Sequence, residues 1–257
     1  MNVDVIMPLP AYGFDPTEAA VPWQQLTSAG FSVAFATPGA VIPAADSIML
    51  TGKGLGLWSS LLKADRRGVA AYSQMTDSAE FRHPLAWSDL KDVSHRSLLL
   101  PGGHHAGVRE YLESPEIQAI TRTGFARQIP VAAICHGVLI VARTRAEGTD
   151  RSLLKGYQTT ALLRSQELLA WNMTRLWMNS YYRTYPGTTV EDEVRAALAD
   201  PSDFHAGGIP LWRDTADQLS RGFVVRDRHY LSARWPGDAH ALAAALIALL
   251  RTYRLSQ

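Results

Sequence analysis

One cysteine in 257 residues removes two structural options at once. No internal disulfide can form, and no zinc site built on cysteines is available. A surplus of charge is also missing. With 25 Lys and Arg against 24 Asp and Glu, the formal net charge is +1, so the whole-chain field gives no reason to expect nucleic acid or an anionic membrane as partner. Long apolar runs are absent too. The last apolar block, Ala239 to Leu250, is interrupted by His240 and falls short of the ~20 residues that span a bilayer, so it reads as a buried C-terminal helix. Met1 to Met7 lacks the basic segment and long apolar stretch of a signal peptide and reads as a first strand, from which a cytoplasmic location is expected. Internal repeats are not evident. Gly52, Gly54 and Gly56 share part of the spacing of a nucleotide loop, but the full fingerprint is absent and no strand runs directly into them, so they read as a turn.

What is present is apolar residue in quantity, 47% of the chain, enough for a substantial core in one domain over residues 1–257. The order of elements is regular. A strand ends at Pro8-Leu9-Pro10; a helix follows from near Thr17, with Thr17 or Asp15 as its cap; Phe31 to Ala36 is a second strand. A strand, crossover helix and strand imply a right-handed unit with parallel pairing. Residues 40–94 are less regular and read as an inserted cap over one edge or the top of the sheet. Ser97 to Leu100 and Val131 to Ile134 are continuous apolar strands, as expected where helices cover both faces of a parallel sheet. Helices are expected over Val108 to Arg127, Gly137 to Arg145, Leu162 to Trp177 and Val190 to Leu198, with a further strand over Leu153 to Thr160. Phe223 to Val225 and Tyr230 to Ala233 flank a hairpin turn. The fold class is α/β, doubly wound, with an antiparallel pair late in the chain.

In an open α/β sheet, sites form beyond the carboxyl ends of the strands. Three loops arrive there: Pro8 to Glu18, Pro101 to His105, and Cys135 to Gly137. Cys135 ends an apolar strand and precedes His136 and Gly137, which suits a nucleophile raised on a strand-to-helix turn; an unpaired cysteine also suits plain core filling. Gly102 and Gly103 permit close backbone approach, so the Gly103 and His136 N–H groups are candidates to hold an oxyanion, while a Pro-Gly-Gly triplet also simply turns a chain. Glu18 opens the first helix, where a carboxylate complements the helix terminus. Should it reach the thiol instead, two anions could not share the space, and Glu18 would be protonated and donate to Cys135. His136 is a candidate general base or acid. Glu167 is the first candidate for an orienting acid, equally suited to a helix surface, with Glu191 and Asp192 behind it. His104 and His105 extend the glycine loop toward the same mouth. No carboxylate stands at ligand spacing from these histidines, so no metal is expected. The aromatic stretch from Trp171 to Tyr185 suits a pocket, an interface or packing, Arg234 could point toward the strand ends, and Asp238 suits a cap for the last helix.

Glu18, Leu100-Pro101-Gly102-Gly103-His104 and Ala133-Ile134-Cys135-His136-Gly137 together resemble the ThiJ/PfpI family of the class I glutamine amidotransferase-like superfamily. The resemblance covers nearly the whole chain. It implies a flavodoxin-like three-layer sandwich with a mostly parallel central sheet, a homodimer, no cofactor, and a reactive cysteine on a nucleophile elbow. The family's cysteine, following histidine and hydrogen-bonding glutamate fall on Cys135, His136 and Glu18, and its backbone donors on Gly103 and His136. In the larger chaperone and glyoxalase branch an additional acid completes a triad and an inserted segment covers the site; Glu167 and residues 40–94 look like those features, although the Gln166-Glu167 neighbourhood departs from the usual form. Ser232-Ala233-Arg234-Trp235-Pro236 stands where relatives often carry a Gly-Gln-Asn-Pro-like turn. The surroundings of His205 and His240 do not supply the His-x-Glu arrangement of true glutamine amidotransferases. The resulting expectation is a cofactor-free cysteine enzyme acting on small reactive carbonyls, converting methylglyoxal to lactate like a glyoxalase III. The alternatives are a cysteine hydrolase of small amides or peptides, and a redox-sensing or holding chaperone with little turnover.

Overall fold

A computed structural model describes residues 2–255. Its strands are β1 (Asn2–Pro8), β2 (Tyr12–Phe14), β3 (Val33–Thr37), β4 (Ala44–Ala45), β5 (Leu85–Ala86), β6 (Ser94–Leu100), β7 (Val131–Ile134), β8 (Val224–Asp227) and β9 (Tyr230–Ala233). Seven of them form one sheet in the order β5-β3-β1-β6-β7-β9-β8, while β2 and β4 pair separately. Every neighbouring pair of the large sheet is parallel except β8 with β9. β7 is buried at all four positions, the signature of a parallel strand with both faces covered. The helices are α1 (Pro16–Ser28), α2 (Ser47–Thr51), α3 (Ser59–Leu62), α4 (Arg66–Asp77), α5 (Ala79–Arg82), α6 (Arg109–Leu112), α7 (Pro115–Ala126), α8 (Val138–Arg143), α9 (Arg164–Met178), α10 (Val190–Ala197) and α11 (Ala239–Leu255). α1 packs between α4 and α11 on one side of the sheet, and α7 with α8 covers the other. The chain moves outward from β1 to β3 and then crosses to β6 on the other flank of β1. That reversal opens a crevice at the carboxyl ends of β1 and β6.

Three local readings change against the structure. Leu153 to Thr160 is not a strand: only isolated bridges occur, Arg145 with Ser152 and Thr159 with Phe204. β9 already occupies the free edge of β7, and the segment is tied down by side chains instead, with Thr160 N–H donating to Ser232 Oγ at 2.9 Å. Residues 40–94 divide in two. Met49 and Leu55 form a small satellite cluster with Ala170 and Tyr182, whereas Ala71, Met75, Phe81, Trp87 and Leu90 join the main core and β5 extends the main sheet. The second half is thus part of the sandwich. Asp238 does not cap α11; that role falls to Asp214, whose carboxylate accepts from the N–H groups of His240 and Ala241.

Candidate active site

β7 stops at Ile134, and Cys135 takes φ +58°, the left-handed region that L-residues other than glycine rarely occupy. Such a conformation costs roughly 1–3 kcal/mol and persists where its surroundings over-determine it. Here the constraint is Gly137. A Cβ at that position would lie 2.1 Å from the Leu100 carbonyl oxygen and 2.7 Å from that of Pro101, so only glycine lets the elbow close against the end of β6. The turn lifts the Cys135 thiol beyond the strand ends and starts α8.

Glu18 reaches the same place from the other side of the crevice. Asp15 caps α1, its Oδ1 accepting from Thr17 N–H at 2.8 Å and Glu18 N–H at 3.0 Å, and Glu18 thereby sits in the first turn. Its Oε2 accepts from Gly102 N–H at 2.9 Å, while Oε1 has no hydrogen-bond partner among the described residues and lies close enough to Cys135 for the two groups to shift each other's ionisation. A Cβ on Gly102 would stand 2.7 Å from His136 N and 3.0 Å from Glu18 Oε2, which is why the loop needs glycine there. Gly103 has φ +149° and a Cβ on it would lie 2.6 Å from the Gly13 carbonyl oxygen. Its N–H finds no acceptor among the described residues. The His136 N–H lies where it favours negative charge on the Cys135 sulfur.

Cys135, His136 and Glu18 are all fully buried, and burial dominates their electrostatics. It pushes the Glu18 carboxyl well above the ordinary carboxylate range, with the charge of Asp15 adding to the rise. It pushes the Cys135 thiol up as well, to which negative charge on Glu18 or Asp15 adds wherever either is ionised, and it holds His136 well below the usual imidazole range. At neutral pH Cys135 thus rests as a thiol and His136 as a neutral imidazole. Cys135 Sγ and His136 Nδ1 are 3.4 Å apart, so the thiol proton has a base within reach.

The remaining candidates separate. His104 joins the site: its ring centre is 5.1 Å from that of His136, and burial lowers its pKa to about 4. His105 does not. Its Nδ1 accepts from Gly107 N–H at 2.9 Å and its ring lies edge-on to Tyr12, so it shapes the turn after the glycine loop. Glu167 is buried, as a triad acid would be, and burial raises its pKa to about 7. Its oxygens, however, meet Val190 N–H at 2.9 Å and Arg183 at 3.5 Å. No hydrogen bond joins it to His136, whose Nε2 has no partner among the described residues. Glu191 and Asp192 bond to Arg195, Arg164 and Thr189 around α10. Arg234 is locked into a buried, two-armed ion pair with Asp238 at 2.9 and 3.0 Å, not aimed at the strand ends. Among the described residues no three of His, Cys, Asp and Glu converge as a metal site.

Sequence reasoning placed only part of the cavity that borders His104. A cavity of about 160 Å³ is lined by Asp15, His104, Tyr182, Arg213 and Trp235 with an apolar wall from Met49, Leu162, Met173 and others. Asp15 was legible only as a cap, and Arg213 lies in the stretch 199–222, which has no periodic pattern to place it.

A model of the ThiJ/PfpI family-like group matches residues 9–192, which include the glycine loop and the elbow. The chain belongs to the ThiJ/PfpI-like family. Several solved structures share its fold over nearly their whole length. The Candida albicans glyoxalase III superposes with a TM-score of 0.64 at 16% identity, covering 97% of this chain and 98% of that one. The Francisella tularensis Rapid Encystment Protein gives 0.68 at 13% identity over 96% and 99%, and Drosophila melanogaster DJ-1beta gives 0.54 at 14% over 98% of each. A Schizosaccharomyces pombe protein named only as uncharacterised is 32% identical over 142 residues, 54% of this chain and 50% of its own length. This ThiJ/PfpI-like chain thus spans about half the length of the curated relative it matches.

Proposed function

We propose that this ThiJ/PfpI-like protein is a cofactor-independent cysteine enzyme acting on small reactive carbonyl compounds, with the conversion of methylglyoxal to lactate as its model reaction. The observation that carries the reading is the contact between Cys135 Sγ and His136 Nδ1 at 3.4 Å, beside a Glu18 carboxyl that burial pushes well above the ordinary carboxylate range. A neutral thiol adds to an aldehyde only as it loses its proton, and His136 Nδ1 takes that proton as the S–C bond forms. Gly103 N–H meets the developing oxyanion. His136 returns that proton to the oxyanion, which completes the hemithioacetal and frees Nδ1; it then carries a proton from C1 to C2, giving a lactoyl thioester on Cys135, and water releases lactate and restores the thiol. Glu18 holds its own proton toward the sulfur throughout and stabilises it whenever sulfur bears negative charge. Nothing in these steps consumes or supplies electrons from outside the substrate.

The reading of Cys135 as a redox sensor has less support, because sulfenic chemistry needs an exposed thiolate and this thiol is buried and held protonated. A homodimer belongs to the same proposal and is checked by light scattering. The chemical test is to quench turnover in acid and weigh the intact protein. A lactoyl adduct on Cys135, released by hydroxylamine, is the expected outcome; methylglyoxal consumption with Cys135 never modified would remove the mechanism.

A further inference from the structure

Four polar atoms without a hydrogen-bond partner among the described residues, His104 Nδ1, Tyr182 Oη, Arg213 Nη1 and Trp235 Nε1, belong to residues that line the same cavity. Folded chains leave few buried polar atoms unpaired, since each costs about 1–3 kcal/mol, so four around one opening point to something that enters it. They fall into two neighbouring pairs along its wall. The His104 ring lies 4.9 Å from that of Tyr182, and the Arg213 guanidinium carbon is 5.4 Å from the centre of the Trp235 ring. Arginine and indole N–H groups can only donate, and a tyrosine hydroxyl donates readily. The set therefore asks for an acceptor-rich group, and the arginine favours a negative one.

Exposure along the cavity has a direction. Tyr182 is 2% and His104 9% exposed, whereas Leu61, Leu169 and Leu211 of the same lining are 58%, 59% and 70% exposed. Polar donors thus stand deep, beside the thiol site, and apolar side chains form the rim. Asp15 also borders the cavity. Two backbone N–H groups already hold its Oδ1 and the Arg213 charge acts on it, so it opposes a second carboxylate without cancelling the donor set.

We propose that the cavity binds carboxylates carrying an apolar body, with the carboxylate on Arg213, Tyr182 and Trp235 and the body against Leu61, Leu169 and Leu211. The assignment deepens the reading of Cys135 as a carbonyl-directed nucleophile and rests on it for the reaction: the substrate class becomes carbonyl compounds that bear both an anionic group and an apolar substituent.

The probe is hexanoate, with 1-hexanol as its neutral counterpart, titrated calorimetrically into the full-length protein. Hexanoate should bind the wild type and Cys135→Ala equally. Arg213→Gln and Tyr182→Phe should each weaken it about ten-fold or more, the worth of a charge-assisted hydrogen bond, and leave 1-hexanol unchanged. Asp15→Asn keeps the helix cap and should tighten hexanoate. Tyr182→Phe removes one oxygen atom and guards against an Arg213 variant that does not fold. The proposal fails if hexanoate gives no binding, if it binds no tighter than 1-hexanol, or if the substitutions weaken both probes alike. Because binding is read without the thiol, its failure leaves the Cys135 chemistry standing, and a dead thiol leaves the binding result standing.

Discussion

At the scale of single residues, protonation is set by burial. The Cys135 thiol should be a poor thiolate near neutrality, because burial pushes it up. Its alkylation by iodoacetamide should climb through the alkaline range with no plateau near pH 7, and such a plateau would show that the sulfur is ionised at rest. Glu18 can be split into its two roles. Glu18→Leu orphans the buried Gly102 N–H that Oε2 accepts from and should cost about 1–3 kcal/mol in thermal unfolding. Glu18→Gln retains both an acceptor for Gly102 and an N–H donor toward the sulfur, so it should keep most of the stability and part of the turnover. Cys135, His136, Gly102 and Gly103 were legible in the sequence because each sits where a strand meets a turn, and Glu18 because it opens the first helix. Glu167 was legible only as an acid in the first turn of a helix, and a spacing along the chain cannot tell that its oxygens meet Val190 and Arg183. Arg213 gave no signal at all, since an irregular segment has no period that assigns its side chains to a face.

Among elements, the elbow depends on contacts between backbones. Gly137→Ala would force a Cβ to within 2.1 Å of the Leu100 carbonyl oxygen, and neither strand end can yield; a loss of about 1–3 kcal/mol is expected from overpacking, together with the activity. Gly187, with open space where its Cβ would be, is the control: Gly187→Ala should leave the melting temperature and turnover unchanged. The strands β1, β3, β6 and β7 were readable as apolar runs, and α1, α9, α10 and α11 as periodic ones. Leu153 to Thr160 was misread because a short segment with leucines, a tyrosine and threonines reads the same whether or not a sheet edge is free for it, and β9 holds that edge. The half of residues 40–94 that joins the main core was equally opaque, since Met75, Phe81 and Trp87 are widely spaced and become one surface only once α4, α5 and β5 have folded onto α1 and β3.

For the whole molecule, the buried titratable groups give stability two opposed dependences on pH. His104 is held down to about 4 from an ordinary 6.5, so between those values the unfolded chain binds the proton that the folded one refuses, and stability falls as pH drops from 6.5 toward 4. Glu167 is held up to about 7 from 4.5; the folded state keeps its proton longer there, and stability falls as pH rises across that window. In calorimetric melts, His104→Gln should gain on the wild type as pH is lowered from 6.5 to 4, and Glu167→Gln should gain as it is raised from 4.5 to 7. The two slopes partly cancel in the native protein, which makes the single variants the informative comparison. The sheet, the crevice at its switch point and the elbow converge on one thiol, and the most direct test of that convergence is lactate formed from methylglyoxal in thiol-free buffer by the wild type and by Cys135→Ala. Lactate from the wild type, with the variant reduced to the uncatalysed rate, is the predicted result, and full turnover by Cys135→Ala would contradict it.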